Sequence, residues 1–254
     1  MRMKTLLAIL AAMVPIAASA ADCTVRSGAT TNALVELYTS EGCSSCPPAE
    51  KWLSQFARDP KPGIVPIAFH VHYWDYIGWK DMYADPRNTE RQQSFAKITG
   101  ASSVYTPQVI VAGRDFRLWS SGLAFDATVK GAMSHKARAT IEVTPRRAVD
   151  GTIEGHASVS FVEANAWPYT LVVAVTQDGV TSKPNAGENK GETLAQNFVV
   201  RDVTEFRGQD SIAGDFRFAP KAGWNPDRMS IVAYVQDPRS GRVLQALSAP
   251  VCRL

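Results

Sequence analysis

Two cysteines separated by two serines, Cys43 and Cys46, can cycle between a dithiol and a disulfide. The apolar residues 34–39 before them indicate a short strand. The residues after them have the spacing of one helix face: Ala49, Trp52, Leu53 and Phe56. The two sulfurs therefore lie at a helix N-terminus, where free backbone N–H groups favour the reactive thiolate. We predict that Cys43 is exposed and attacks, and that Cys46 resolves the mixed disulfide.

Glu36 is a further candidate, because it lies inside the predicted strand, seven residues before Cys43. A buried carboxyl group has a raised pKa and can pass protons to Cys46 during thiol–disulfide exchange. The alternative is a carboxylate that hydrogen bonds satisfy at a strand edge. The cysteine pair has an alternative as well, which is a permanent structural disulfide that never turns over.

The elements that follow complete the order β-α-β-α-β-β-α with a strand, a helix, a hairpin and a helix at residues 64–71, 88–98, 107–120 and 125–139. This is the order of the thioredoxin fold, in which a cis-proline faces the Cys-x-x-Cys pair. That resemblance implies a cis bond before Pro107, with Thr106 offering its backbone to an extended substrate peptide. The alternative is an ordinary trans proline that enters an edge strand.

Three segments carry a closer resemblance, and they are residues 36–49, 68–81 and 104–108. They resemble the motifs of an exported bacterial family that is catalogued as a domain of unknown function with a thioredoxin-like fold. The resemblance implies the fold and a capacity for redox chemistry, and it names no substrate. The sequence departs from the family pattern at His72, where Asp is usual, and at Met82, where Pro is usual. A role that needs an acid at residue 72 therefore does not carry over.

His70 and His72 alternate along the predicted strand at 64–71 and share one face. With Cys43 and Cys46 they could form a soft sulfur–nitrogen site for copper or zinc. The other interpretation, which we favour, is that both histidines are hydrogen-bonded, so we expect no resident metal and no cofactor. The aromatic residues after them either wall a peptide groove or form a packed insertion: Trp74, Tyr76, Trp79 and Tyr83.

Residues 1–20 have the features of a signal peptide, with a basic start at Arg2 and Lys4, an apolar core and a cleavage site at Ala20. We expect an exported protein, periplasmic or secreted, without a stable membrane anchor. The whole sequence has 27 basic and 24 acidic residues, and the leader contains two of the basic ones. The mature chain is therefore nearly neutral and gives no indication of nucleic acid as a partner.

Cys23 and Cys252 lie at the two ends of the mature chain. In an exported protein this pair predicts a structural disulfide. Closing so long a loop stabilises the fold by roughly 5 kcal/mol in the chain-entropy model, less any native strain. The alternative is that one or both cysteines remain free thiols.

From Thr140 onward the pattern changes to short β-branched runs separated by turn signals. We predict a thioredoxin-like α/β domain at 22–139, followed by an antiparallel β-sandwich domain of immunoglobulin-like kind at 140–254. The polar loop at 181–191 either contacts the first domain or only joins strands, and we favour the second interpretation.

These features predict an exported thiol–disulfide oxidoreductase that acts on protein or peptide thiols and disulfides. An unidentified redox partner would recharge the cysteine pair. Two other classes stay open, which are a protein that handles copper or zinc and a non-catalytic thioredoxin-like interaction module.

Overall fold

The computed structural model describes residues 23–253, so the predicted signal peptide at 1–20 lies outside the described residues. The helices are α1 (Pro47–Leu53), α2 (Gln55–Arg58), α3 (Pro86–Thr99) and α4 (Gly122–Met133), with short 3-10 helices at Asp75–Ile77 and Pro226–Arg228. The strands are β1 (Val25–Arg26), β2 (Ala33–Thr39), β3 (Ile64–His70), β4 (Gln108–Val111), β5 (Arg114–Asp115), β6 (Ala139–Arg147), β7 (Ile153–Phe161), β8 (Tyr169–Gln177), β9 (Val180–Ser182), β10 (Leu194–Gln196), β11 (Val199–Gly208), β12 (Ser211–Phe218), β13 (Met229–Gln236), β14 (Val243–Pro250) and β15 (Cys252–Arg253).

Helix boundaries follow local capping signals. The Asp85 side chain accepts the Arg87 N–H and begins α3, slightly before the predicted start. Gly100, in the left-handed conformation, ends α3 as predicted. Ser121 caps α4. This helix is shorter than the predicted helix at 125–139, because Ala139 already belongs to β6.

Strand β2 is the centre of the first half of the chain. It pairs in parallel with β3 and antiparallel with β4, which continues into β5. Successive side chains of a strand point to opposite faces. One face packs against α1 and α4, through Ala33, Val35, Leu37, Ala49, Leu53, Phe125 and Val129. The other face packs against α3, through Leu34, Tyr38 and Phe95. Position 36 therefore lies on the α3 face, away from α1.

Two sheets pack face to face in the second half. One contains β6, β7 and β12, and both β1 and β15 pair with β6. The other contributes β8, β13 and β14, and residues of both sheets share an apolar core that includes Ile141, Val159, Leu171, Val173, Ile231 and Leu244. Because the chain ends meet along β6, Cys23 and Cys252 come within 6.1 Å between Cα atoms and form the predicted disulfide.

The second of these sheets continues into the first half of the chain. Its strand order is β14-β13-β8-β11-β3-β2-β4-β5. At the junction Val199 of β11 pairs in parallel with Ala68 of β3, and the Ala68 N–H donates to the Phe198 carbonyl at 2.9 Å. A bulge between Val200 and Asp202 lets β11 continue along β8. Of the two sheets predicted as a separate sandwich, the one with β8, β13 and β14 therefore continues into the sheet that contains β2, whereas β6, β7 and β12 lie in the other sheet. The described chain is β-rich, with a mixed sheet, antiparallel pairing and few helices.

Candidate functional site

The Cys43–Cys46 pair lies at the junction of β2 and α1, as the sequence predicts. β2 ends at Thr39, the chain turns, and Cys46 becomes the N-cap of α1, with two prolines at the first helical positions. Proline fits there because its missing N–H would have no helical partner. The Cys46 carbonyl accepts the Glu50 N–H at 3.1 Å, and a disulfide joins Cys43 to Cys46.

Both sulfur-bearing residues are buried. Cys43 exposes 1% of its surface and Cys46 exposes 0%, so the prediction of an exposed Cys43 is wrong. The two cysteines lie in the turn at residues 40–46, between β2 and α1, which we call the cysteine turn. A segment from the second half of the chain lies against this turn. This segment, residues 183–193, joins β9 to β10, and we call it the strap. It contacts the cysteine turn directly, so the interpretation of this loop as a simple connection is also wrong.

Side-chain hydrogen bonds hold the strap on the cysteine turn. Asn189 Nδ2 donates to the Glu41 carbonyl at 2.8 Å and to the Cys43 carbonyl at 3.0 Å. The Glu188 carboxylate accepts the Ser44 N–H at 2.8 Å and the Ser44 hydroxyl at 2.7 Å. These bonds, the backbone one first, hold the pKa of Glu188 below its ordinary value. A carboxylate from the strap therefore already accepts the backbone N–H of the residue next to Cys43.

Glu50 is the buried acid that the fold brings next to Cys46. It follows Cys46 by four residues on the buried face of α1, one helical turn away. Its carboxylate accepts the Thr39 hydroxyl at 2.6 Å and Gln196 Nε2 at 3.0 Å. Burial raises the pKa of Glu50, against the opposing effects of His70 and these two hydrogen bonds. A buried carboxyl group with a raised pKa is better suited than an ordinary one to take up and release a proton.

A buried histidine–carboxylate pair supports the same turn. His70 Nδ1 lies 2.7 Å from Asp81 Oδ2, and neither side chain is exposed. Burial opposes a charged His70, but the charge and hydrogen bond of Asp81, with the charges of Glu50 and Glu41, outweigh it and raise its pKa to about 9. Asp81 Oδ2 also accepts the Glu41 N–H at 2.9 Å. The pair therefore fixes the backbone that leads to Cys43.

The Thr106–Pro107 peptide bond is cis, which is the isomer expected from the sequence. β4 begins directly after Pro107 and pairs with β2. Thr106 and Pro107 therefore lie at the end of β2 that leads into the cysteine turn. Trp74 links the two segments, because its Nε1 donates to Thr106 Oγ1 at 2.7 Å and its Cβ lies 3.1 Å from where a Cβ at Gly42 would be.

The aromatic residues after β3 are divided between contact with the site and exposure. Trp74 binds Thr106 as described, and Trp79 Nε1 donates to Glu41 Oε2 at 2.8 Å. Tyr76 projects into solvent with 83% of its surface exposed. The two tryptophans therefore line the cysteine turn, in addition to packing over the sheet.

The structure does not bring Glu36 to the cysteines. Its carboxylate lies 3.9 Å from Arg91 Nε, at the floor of a cavity of about 580 Å³ beside α3 and β11. Burial raises the pKa of Glu36 to about 7, against the charge of Arg91. Because β2 separates this side chain from α1, a proton relay from Glu36 to Cys46 is contradicted.

The two histidines considered for a metal site have separate partners. His70 pairs with Asp81, and the exposed His72 places Nδ1 2.8 Å from Thr89 Oγ1. Among residues 23–253 no group of three or more His, Cys, Asp and Glu side chains is arranged to hold a metal ion. The arrangement therefore gives no support to the copper or zinc alternative.

Three residues of the site, Glu50, Glu188 and Asn189, were not among the sequence candidates. Glu50 did carry a signal, since a residue four positions after Cys46 in a predicted helix lies on the same face. The strap residues carried none. Their hydrogen bonds to the cysteine turn join residues that are 144 and 148 positions apart in the sequence, so no local pattern predicts them.

The fold and site together define a β-rich protein with a buried Cys-x-x-Cys disulfide at a helix N-terminus. The chain belongs to the family described as protein of unknown function (DUF1223), which matches residues 34–236. No curated protein matches it.

Two solved structures resemble most of the chain. A structural-genomics target protein of Agrobacterium tumefaciens superimposes with a TM-score of 0.64 at 23% identity, covering 88% of this chain and 96% of that one. HBP35 of Porphyromonas gingivalis gives a TM-score of 0.64 at 13% identity, covering 88% of this chain and 76% of that one. At these identities the likeness shows the fold alone.

Proposed function

We propose that this protein is an exported thiol–disulfide oxidoreductase with a thioredoxin-like redox domain. The observation that carries the proposal is the Cys43–Cys46 disulfide at the N-terminus of α1, beside the end of β2 where the cis Thr106–Pro107 bond also lies. The order strand, helix, strand, helix, hairpin, helix in the first half supports the thioredoxin-like assignment. Cysteine pairs at helix N-termini are typical of redox sites, because the thiolate is the nucleophile and the helix end favours it.

In the reductive direction the Cys43 thiolate attacks one sulfur of a substrate disulfide. A bond forms between Cys43 Sγ and that sulfur, the substrate S–S bond breaks, and the other substrate sulfur leaves as a thiolate that takes up a proton. Cys46, once deprotonated, attacks Cys43 Sγ and releases the second substrate thiol. Two electrons pass from the protein to the substrate, and the reverse sequence oxidises a dithiol.

Glu50 is the group we assign to accept the Cys46 proton in the second step. It lies one turn after Cys46, it is buried, and its pKa is raised above the ordinary value. The Thr39 hydroxyl and the Gln196 amide hold its carboxylate in place. This replaces the role that the sequence suggested for Glu36.

The substrate class we propose is a protein or peptide thiol or disulfide. The backbone of Thr106, next to Pro107, would bind the extended backbone of the substrate and hold its sulfur near Cys43. A separate redox partner would restore the cysteine pair after each cycle. The disulfides Cys23–Cys252 and Cys43–Cys46 support export, since such bonds persist in oxidising compartments. Within residues 23–253, no helix is both long enough and apolar enough to span a bilayer.

A non-catalytic interaction module is the second candidate, and the burial of both cysteines favours it. In that case the Cys43–Cys46 disulfide would only brace the turn between β2 and α1. The two candidates differ in whether Cys43 can form a bond with another molecule's sulfur.

Trapping of a mixed disulfide separates them. Cys46→Ser protein is incubated with an extended disulfide-bonded peptide, and intact-mass and peptide mass spectrometry locate the adduct. We expect an adduct on Cys43, and none in the matched Cys43→Ser variant at Cys46. Cys46→Ser protein that stays unmodified under conditions where a free exposed thiol reacts fully would contradict the oxidoreductase and favour the interaction module.

A further inference from the structure

The strap is held differently at its base and at its tip. At the base, the Ser182 hydroxyl donates to the Glu41 carboxylate and Gln196 Nε2 donates to the buried carboxylate of Glu50. At the tip, the bonds of Glu188 to Ser44 are exposed, and water competes for both partners, so they contribute little net stability. The buried Asn189 holds the tip more firmly, through its two bonds to backbone carbonyls. The tip therefore separates from the cysteine turn only when the Asn189 bonds are replaced, while the base stays in place.

Movement of the strap leaves the main sheets intact. β9 and β10 pair only with each other, in a two-stranded sheet that is separate from the two large ones within the described chain. Gly187 and Gly191 have φ of 75° and 87°, a region that glycine enters without a steric penalty. A Cβ at Gly191 would meet no atom within 4 Å. A Cβ at Gly187 would lie 3.2 Å from Ile77 Cδ1 and 3.3 Å from Trp79 Cβ, so the strap packs against these side chains there. The strap therefore has backbone freedom at both glycines and open space at Gly191.

The strap occupies a backbone group of the cysteine turn that a peptide can also bind. The Asn189 amide donates to the Cys43 carbonyl at 3.0 Å, and a backbone N–H of an extended peptide can make the same bond. Because Cys43 is 1% exposed and the attacking sulfur must reach the substrate sulfur in line, the site has to open before Cys43 can attack a substrate disulfide. Release of the Cys43 carbonyl by Asn189 is the step that frees the strap from the cysteine turn.

We propose that the strap is a displaceable lid over the redox pair, latched by Glu188 on Ser44 and by Asn189 on the Cys43 carbonyl, and that an extended polypeptide substrate takes the place of Asn189. This rests on the proposed oxidoreductase function and deepens it. The lid makes the site selective, because a substrate must supply backbone hydrogen bonds to replace those of the strap. Small disulfides, which lack such a backbone, reach Cys43 only in the fraction of molecules that open spontaneously.

The test measures access to Cys43 without requiring turnover. In a Cys46→Ser background, where the Cys23–Cys252 disulfide is kept, the rate of Cys43 labelling with N-ethylmaleimide is measured in the folded protein and in the same protein unfolded in urea. The ratio of the folded rate to the unfolded rate reports how often the lid opens, and the pH dependence of the folded rate shows whether a substitution has changed the reactivity of the thiol instead. Glu188→Ala removes the latch, and Glu188→Gln keeps an acceptor for the Ser44 N–H. The matched control is Glu192→Ala, an exposed strap acid whose side chain makes no hydrogen bond or ion pair within the described chain.

We expect Glu188→Ala to raise the ratio of the folded to the unfolded labelling rate by up to about fivefold, the effect of losing exposed charge-assisted bonds at the latch. Glu188→Gln and Glu192→Ala should stay within about twofold of the parent. Asn189→Ala should raise the ratio as well. This second variant tests the lid because the Asn189 amide holds the strap more firmly than Glu188 does. An unchanged ratio in both Glu188→Ala and Asn189→Ala would overturn the lid.

Failure of the lid and failure of the proposed function give different results. An unchanged labelling ratio together with trapped mixed disulfides on Cys43 would contradict the lid and leave the oxidoreductase standing. A raised ratio without any mixed disulfide would support a lid over a thiol that does not exchange, and would contradict the oxidoreductase alone.

Discussion

Glu36 lies in strand β2 and Glu50 lies in the helix that packs on it, and both carboxyl groups are buried. The two carboxyl groups lie on opposite faces of the sheet. Glu36 lies on the α3 face with Arg91, and Glu50 lies on α1 with the Thr39 hydroxyl and the Gln196 amide. Burial raises the pKa of each. Only Glu50 follows Cys46 by one turn on the same helix face. A raised pKa therefore does not by itself identify a proton carrier. The face of the sheet on which each carboxyl group lies decides which of the two can act on Cys46.

The Glu36 region is built as a charge network within the fold. The Arg91 guanidinium lies 5.7 Å from the Phe69 ring centroid and 5.2 Å from that of Tyr234, and it donates to Glu205 at 2.9 Å. Such a buried cation between rings and carboxylates holds elements together but contacts no reacting group. We therefore expect changes here to alter stability, and changes at Glu50 to alter exchange.

Arg91→Ala gives the largest expected effect on stability. The substitution leaves the buried Glu36 carboxylate without a counter-charge and opens a space between the Phe69 and Tyr234 rings. Breaking one partner of a buried ion pair costs about 3–5 kcal/mol. Urea unfolding measures the loss, and Arg207→Ala on the rim of the same cavity is the control, expected within about 0.5 kcal/mol of wild type. A loss below about 1 kcal/mol for Arg91→Ala would show that the network is not structural.

Glu36 should also make stability depend on pH. Its pKa is about 7 in the folded protein against an ordinary value of 4.5, so between these values the folded state holds a proton that the unfolded chain has lost. The free energy of unfolding therefore falls as pH rises through this window, by about 3 kcal/mol at most. Glu36→Gln should flatten the dependence between about pH 5 and 7, and the exposed Glu90→Gln should keep it. A variant at Glu36 with the wild-type slope would place the titrating group elsewhere.

Glu50→Gln should slow the resolving step, in which Cys46 attacks the mixed disulfide. The expected change in activation free energy is smaller than the changes in unfolding free energy given above. The decay of a mixed disulfide between Cys43 and glutathione is followed by rapid acid quenching across the pH range. Loss of a proton acceptor typically reduces a rate by about a hundredfold, and the variant should also lose the pH limb that Glu50 provides. Glu36→Gln is the matched control and should stay within about twofold of wild type. Equal slowing by both substitutions would remove the distinction between the two acids.

The sequence predicts local features of the site well and distant ones poorly. Short motifs in the sequence predict the junction of β2 and α1 and the cis Thr106–Pro107 bond. The Cys23–Cys252 disulfide follows from the location of its two cysteines in the sequence. The continuous sheet depends on one parallel pair, Val199 with Ala68, that no local pattern marks.

The misplacement of Glu36 has a related cause. Alternation along β2 shows that residue 36 shares a face with Leu34 and Tyr38. Which helix covers that face depends on how α1 and α3 cross the sheet, and this is a tertiary property. The contact of the strap with the cysteine turn was missed for the same reason, because the strap comes from the other half of the chain.

The most direct test of the account is the reduction potential of the Cys43–Cys46 pair. The mature protein is equilibrated in glutathione buffers of known potential, free thiols are trapped with acid and alkylation, and peptide mass spectrometry separates this pair from Cys23–Cys252. We predict a potential within the range of exchange proteins, about −270 to −120 mV. A pair that stays oxidised well below about −300 mV would be a structural disulfide, and would contradict a redox role for this site.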